Sequence, residues 1–198
     1  MEHRVHCLGG TEIGPYLDAT ARLRISVFKG FPYLYQGDAA SEQSYLRSYA
    51  RCPRSVFVLA EEGGEVVGVS TGLPLADADQ AFRKPFEDSG ISPGDWFYFG
   101  ESVLEPAWRG RGIGHRFFDE REKWALAQGY FKTCFCSVVR SDNHPLKPAG
   151  YRPHDEFWTK RGYTQVPGWK ARLSWCQVDS AGREVENELV FWTREVEA

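Results

Sequence analysis

The sequence predicts an α/β (α+β) fold, with helices and strands interspersed along one chain. Three observations carry that expectation. Two β-branched runs, VFVLA and VVGVSTG, flank a glycine-bearing EEGGE connection, which is the pattern of a β-hairpin. Phe117, Phe118, Trp124 and Ala125 make an apolar stripe at helical spacing directly after a glycine-rich loop. With 42% hydrophobic and 15% aromatic residues, a chain of 198 residues has enough apolar surface for the core of one domain spanning 1–198.

In chain order, residues 5–8 read as a short first strand. Residues 11–28 carry Ile13, Leu17, Ala21 and Ile25 or Arg24 near helical spacing, hence a first helix. The stretch GFPYLYQGD is aromatic and broken by Gly30, Pro32 and Gly37, so it forms a loop before a second helix over 41–49. After the hairpin, residues 77–89 are polar and read as helical, and Trp96 to Leu104 reads as a strand of aromatic and β-branched residues. The helix of the apolar stripe is supported by an Asp119 and Lys123 pair at i,i+4, and Gly129 supplies its C-terminal cap. Residues 131–139 form a strand, 155–161 a short helix, and 171–178 with 189–194 a final antiparallel pair across SAGREVEN.

Composition excludes several function classes. The formal net charge is -3 with both signs mixed along the chain, which provides no basic surface for a nucleic-acid backbone. The first residues lack a signal-peptide pattern and no apolar run is long enough to span a bilayer, so a soluble cytoplasmic protein is expected, with no membrane partner. Cys134 and Cys136 alternate with Phe135 and share a strand face as buried thiols; with no second cysteine pair or close histidine pair, no metal site is expected.

The chemically informative segment is ESVLEPAWRGRGIGH, residues 101–115, where a strand ends in a glycine-rich loop that opens into a helix. Gly110, Gly112 and Gly114 let the backbone turn tightly and approach a ligand, and the free N–H groups and dipole of a helix start favour phosphate. Arg109 and Arg111 add positive charge; the plainer reading is a tight turn with both arginines in solvent. A Walker loop needs Lys and Ser or Thr where Ile113, Gly114 and His115 stand, and a dinucleotide fingerprint needs GxGxxG rather than GxGxG.

The loop resembles motif A of the GNAT superfamily of acyl-CoA-dependent N-acyltransferases, RxxGxG, with Arg109, Gly112 and Gly114 on its defining positions. Residues 138–143 are similar to the end of that family's next strand with its CoA-side asparagine, here Asn143, and FWTKRGY to its late helix and turn. The resemblance implies a mixed, mostly antiparallel sheet flanked by helices and splayed between its fourth and fifth strands, with acetyl-CoA as acyl donor in the gap. It implies that Val103 and Leu104 pair with pantetheine, and that Arg109, Gly110, Arg111, Gly112, Ile113, Gly114 and His115 cradle the diphosphate.

The same resemblance makes Glu101 the general base for an attacking amine; the plainer alternative is an ion pair with an arginine. Trp158 stands where the family usually has an acid tyrosine, and indole cannot deliver that proton, so Tyr151, in an apparent insertion between Asn143 and Trp158, becomes the substitute candidate. For the acceptor, the aromatic loop with Phe31, Tyr33, Leu34 and Tyr35 would combine with Trp96, Tyr98 and Trp158 into an apolar slot near Glu101. The expected partner is a small-molecule amine ahead of a protein N-terminus or lysine, and the resemblance is compatible with a homodimer. The competing reading is a non-catalytic acyl-CoA-binding or interaction module on the same fold.

Overall fold

The computed structural model describes residues 4–196. Along the chain it runs β1 (Arg4–Gly9), α1 (Leu17–Phe28), α2 (Ala39–Arg51), β2 (Val56–Glu62), β3 (Glu65–Pro74), α3 (Gln80–Asp88), β4 (Trp96–Leu104), α4 (Ile113–Ala127), β5 (Lys132–Val138), α5 (Asp155–Lys160), β6 (Thr164–Cys176) and β7 (Glu184–Glu195). The strands form one seven-stranded sheet in the order β1-β2-β3-β4-β5-β7-β6. Among the described residues β4 and β5 are the parallel pair, and every other neighbouring pair is antiparallel. A parallel pair needs a crossover, and α4 supplies it.

The sheet is covered on both faces, and strand alternation sorts the side chains between two cores. Phe57, Leu59, Trp96, Tyr98, Cys134 and Cys136 pack with α1, α2 and α3, whereas Val56, Val58, Phe97, Phe99 and Phe135 pack with α4 and α5. The hairpin between β2 and β3 closes from Glu62 to Glu65 through Gly63 and Gly64, both at positive φ, as a two-residue turn of this hand requires. At the end of α4, Gly129 takes φ 83° and the Tyr130 N–H returns to the Ala125 carbonyl at 2.9 Å.

Several expected boundaries move. Residues 10–16 form two 3-10 turns, and α1 starts only after Pro15, whose ring fits a first turn and not a helix interior. The last two strands are longer than their apolar runs: β6 begins at Thr164, and β7 at Glu184 takes in half of the expected connection, because its polar residues pair on a solvent-facing hairpin. Asp119 is not held by Lys123 but by Arg161, the C-terminal cap of α5, at 2.6 Å, which ties the two helices of that face together.

Cys134 and Cys136 lie on one face as buried thiols, and burial pushes both well above the ordinary thiol range. Neither is expected to react with a soluble thiol reagent in the native protein. Mass spectrometry after timed alkylation should show them modified only under unfolding conditions, and native labelling of Cys136 at the rate of a free peptide thiol would contradict this packing.

Candidate active site

The site begins where the sheet comes apart. Parallel pairing of β4 with β5 runs from Trp96 opposite Lys132 to Phe99 opposite Phe135 and stops there. Beyond it, β4 stays with β3 as far as Leu104 opposite Gly68, while β5 stays with β7 as far as Val138 opposite Leu189. A gap therefore opens between residues 100–104 and residues 136–138.

At the start of the gap, β4 carries a bulge. Phe99 pairs with Gly72 and Ser102 with Ser70, so Gly100 and Glu101 together face Thr71. The extra residue changes which side each following side chain takes. Without it Glu101 would follow Phe97 and Phe99 onto the α4 face; with it Glu101 meets Arg24 of α1 and Tyr45 of α2. Gly100 is required here because a Cβ would lie 2.4 Å from the Tyr49 hydroxyl oxygen and 2.7 Å from Thr71 Oγ1.

Glu101 is 6% exposed. Its Oε1 stands 2.7 Å from Arg24 Nη1, and Oε2 accepts from the Tyr45 hydroxyl at 3.0 Å. Arg24 also donates to Glu42, which is 2% exposed, so two buried carboxylates share one guanidinium. Burial alone would push Arg24 down, but Glu101, then Tyr45 and Glu42, outweigh it and hold the guanidinium above its ordinary range. Burial first and then the charge of Glu101 drive the Tyr45 hydroxyl well up, so it remains a donor.

The aromatic loop after α1 lies over the same face. Burial, with Cys136 and Tyr151 nearby, pushes the Tyr33 hydroxyl up to about 12. Phe31 packs edge-on against Tyr151 at 4.7 Å and near His144 at 5.7 Å, which joins this loop to the insertion after β5. Tyr35 hydrogen-bonds Glu42 and bridges to Gln177. Leu34 is held at φ 56°, a conformation that costs a non-glycine residue about 1–3 kcal/mol. Arg140 fixes the loop in place: Nε donates to the Pro32 carbonyl at 2.6 Å, Nη2 to the Tyr33 carbonyl at 3.0 Å, and Nη1 to Asn187 Oδ1 at 2.6 Å.

The expected slot of Trp96, Tyr98 and Trp158 is not assembled. Trp96 sits at the paired end of β4 against Phe86, and Tyr98 is stacked on Phe82 at 4.6 Å in the core beneath the gap. Trp158 lies on the opposite face of the sheet, against Phe135 at 5.0 Å and Trp192 at 5.2 Å. The alternation of β4 and β5 separates them, so an acceptor lying against Phe31, Tyr33 and Glu101 does not reach Trp158.

On the α4 side, Gly110 and Gly112 take φ 74° and 81°, and open space lies where their Cβ atoms would be. Among the described residues none of the backbone N–H groups of 110–115 donates to a protein acceptor; the first helical bond to this loop is Arg116 N–H to the Gly112 carbonyl. Arg109 is exposed and donates from Nε to the Leu104 carbonyl at 3.3 Å, and Arg111 lies over the Trp108 ring at 4.5 Å. The His115 ring leans away toward Phe157 at 4.8 Å and Arg161, leaving its backbone N–H with the others. Asn143 is exposed on the loop after β5.

The Glu105 N–H bonds the Val67 carbonyl at 3.0 Å, and antiparallel bonding alternates from there. Val103 therefore spends its N–H and C=O on Val69 of β3, while Ser102 and Leu104 turn theirs into the gap. Of the two residues expected to offer backbone here, Val103 is thus occupied by β3, whereas Leu104 faces the gap together with Ser102. Two surface depressions, one by Gln177, Ser180 and Arg183 and one by Gly94, Gln128 and Lys132, lie away from the gap and gather no comparable set of groups.

Solved structures match over nearly the whole chain. A ribosomal-protein-alanine N-acetyltransferase from Brucella melitensis superimposes with a TM-score of 0.62 at 14% identity, covering 98% of this chain and 99% of that one. An aminoglycoside 6'-N-acetyltransferase complexed with coenzyme A gives 0.62 at 16%, covering 98% of each chain. The protein yncA from Salmonella typhimurium, solved with its cofactor acetyl-CoA, gives 0.57 at 13%, covering 100% of this chain and 96% of that one. At such identities these matches show the fold, and a sequence comparison with curated proteins finds no match. The description of the acetyltransferase (GNAT) family fits residues 25–149, more than half of the sequence, and the chain belongs to that family of acetyl-CoA-dependent N-acetyltransferases.

Proposed function

We propose that this protein transfers an acetyl group from acetyl-CoA to the primary amine of a small molecule by direct attack. The observation that carries the reading is the gap between β4 and β5, with unpaired amides of 110–115 at its α4 side and buried Glu101 on its α1–α2 side. Bound there, acetyl-CoA supplies the acyl group as a thioester. The residues present fit it: the amides of Gly110, Arg111, Gly112, Ile113, Gly114 and His115 converge at a helix start where a diphosphate is favoured, and Arg109 and Arg111 add cations. The Leu104 N–H, with Ser102, offers backbone to the pantetheine arm, and Asn143 is exposed on the loop after β5.

An amine arriving past Phe31, Tyr33 and Tyr35 meets Glu101, which takes its proton directly or through water. Tyr98 forms the floor of that approach. Tyr151 is the acid candidate: burial and then Asp155 raise its hydroxyl, so it carries its proton at neutral pH, and it packs against Phe31 beside the opening. A leaving thiolate of pKa about 8.5 makes only modest demands on such a donor.

The ion pair of Glu101 with Arg24 favours one alternative, a non-catalytic acyl-CoA-binding module, which would bind the cofactor and release no CoA with any amine. Calorimetry with acetyl-CoA on wild type and Gly112→Trp tests the site. Micromolar binding is expected for wild type and a loss of at least about 100-fold for the variant, roughly the 2.7 kcal/mol of a blocked phosphate cradle. The φ of 81° at position 112 adds strain of about 1–2 kcal/mol, so a melting curve must accompany the titration. No binding by folded wild type would end the acyltransferase reading.

A further inference from the structure

We infer that Arg121 is a positioning residue for acetyl transfer: its guanidinium holds the β4 bulge, which keeps Glu101 on the acceptor face and the Ser102 N–H directed into the gap. The inference rests on the proposed role of Glu101 as base.

Arg121 lies in α4, in a charged run in which Asp119 and Lys123 are exposed and Glu120 and Glu122 partly so, yet it is 1% exposed. Its Nε donates to the Phe117 carbonyl of its own helix at 3.1 Å. Nη1 donates to the carbonyls of Thr71 and Glu101, both at 3.2 Å, and Nη2 to Ser102 Oγ at 2.9 Å. Thr71 and Glu101 are the residues at which the bulge interrupts the β3–β4 ladder, so the guanidinium satisfies carbonyls that the ladder leaves over. Phe99 and Phe118 cover its plane at 4.4 and 4.7 Å.

Among the described residues no carboxylate forms an ion pair with Arg121, and burial pushes its pKa down to about 10, which still leaves it cationic at neutral pH. A cation without a counter-ion is a costly way to fill a core position that Met or Leu would fill better, so packing alone does not account for a guanidinium here. What the guanidinium does that an apolar side chain cannot is bind the two strands across the bulge. A planar fork with several donors reaches these diverging acceptors together, where an ammonium would reach fewer.

The consequence for the site is twofold. The bulge sets the side of the sheet on which Glu101 emerges. In addition, the bond to the Glu101 carbonyl polarises the peptide that joins it to Ser102, so the Ser102 N–H facing the gap becomes a stronger donor. Arg121 thus acts on both groups without touching acyl donor or acceptor.

The test combines an activity readout with one independent of activity. Wild type and Arg121→Met are compared for CoA affinity by calorimetry, for transfer to whichever amine of a broad panel wild type uses best, and for the Ser102 amide proton shift by NMR on labelled protein. CoA affinity is expected to stay within about threefold while kcat falls about 100-fold, the effect of displacing a catalytic group by about 1 Å. The Ser102 amide should move upfield, and millimolar guanidinium should restore part of the turnover of Arg121→Ala.

A folded Arg121→Met with wild-type kcat and an unshifted Ser102 amide would overturn the inference. So would a parallel loss of CoA affinity and turnover without guanidinium rescue, the mark of a purely structural role. If the Met variant does not fold, Arg121→Lys takes its place, with an intermediate loss of kcat and a smaller upfield shift expected; wild-type behaviour there overturns the inference equally. Should wild type acetylate no amine, the proposed function fails separately, and the Ser102 shift together with the position of Glu101 in a variant crystal structure still decides the role of Arg121.

Discussion

Glu101→Gln is expected to lower acetyl transfer by about 1,000-fold while acetyl-CoA affinity stays within about twofold, because general base catalysis contributes about 10²–10⁴. The substitution keeps the size of the side chain and its place beside Tyr45 and Arg24, and Arg24 retains Glu42 as a partner, so the fold should hold. The loss should appear in kcat and in kcat/KM for the amine together, as for a group acting in the transition state. Glu42→Gln is the control. It removes the other carboxylate on Arg24 without touching the gap, and transfer should fall far less. Steady-state release of CoA with the best amine measures both. Transfer by Glu101→Gln within tenfold of wild type would leave Glu101 a structural partner of Arg24 and remove it from the proton transfer.

Much of this arrangement was legible in the sequence where local pattern and structure coincide. The strand Trp96–Leu104 has the expected ends because its aromatic and β-branched residues are bounded by a turn-forming Pro93–Gly94 pair and by Pro106. The loop of Gly110 and Gly112 was legible because positive φ leaves a direct mark in the choice of residue. The bulge was not: WFYFGESVL reads as unbroken alternation, and Gly100 alone hinted at an irregularity. Buried Arg24 and Arg121 and half-buried Arg140 were illegible for a related reason. The partners of each come from distant segments, as when Arg140 reaches Pro32 and Asn187. The acceptor slot went astray because aromatic composition does not say on which face of a sheet a ring will lie, and Trp158 and Tyr98 take opposite ones.

The buried charges themselves yield the largest expected change in stability. Arg24→Met leaves Glu42 and Glu101 buried beside each other with no cation, and removing one partner of a buried ion pair typically costs about 3–5 kcal/mol. For a chain of this size each kcal/mol is worth roughly 2–4 °C, so the melting temperature should drop by roughly 6–20 °C. Because the folded protein holds Arg24 above its ordinary pKa, the stability it contributes is complete below that ordinary value and is lost only as pH rises through the higher folded one. The drop should therefore show no component from Arg24 ionisation between neutral pH and moderately alkaline pH. Neutralising the whole cluster, in Arg24→Met with Glu42→Gln and Glu101→Gln, should recover much of the loss, since a buried ionic set replaced by uncharged groups is often close to neutral in stability. Differential scanning calorimetry of the single and triple variants separates the two cases. If the triple variant regains stability yet transfers no acetyl group, the cluster is kept at the mouth of the gap for its charge rather than for the fold; if it stays as unstable as Arg24→Met, the guanidinium serves mainly to pack α1 against α2 across the rings of Phe28 and Tyr45.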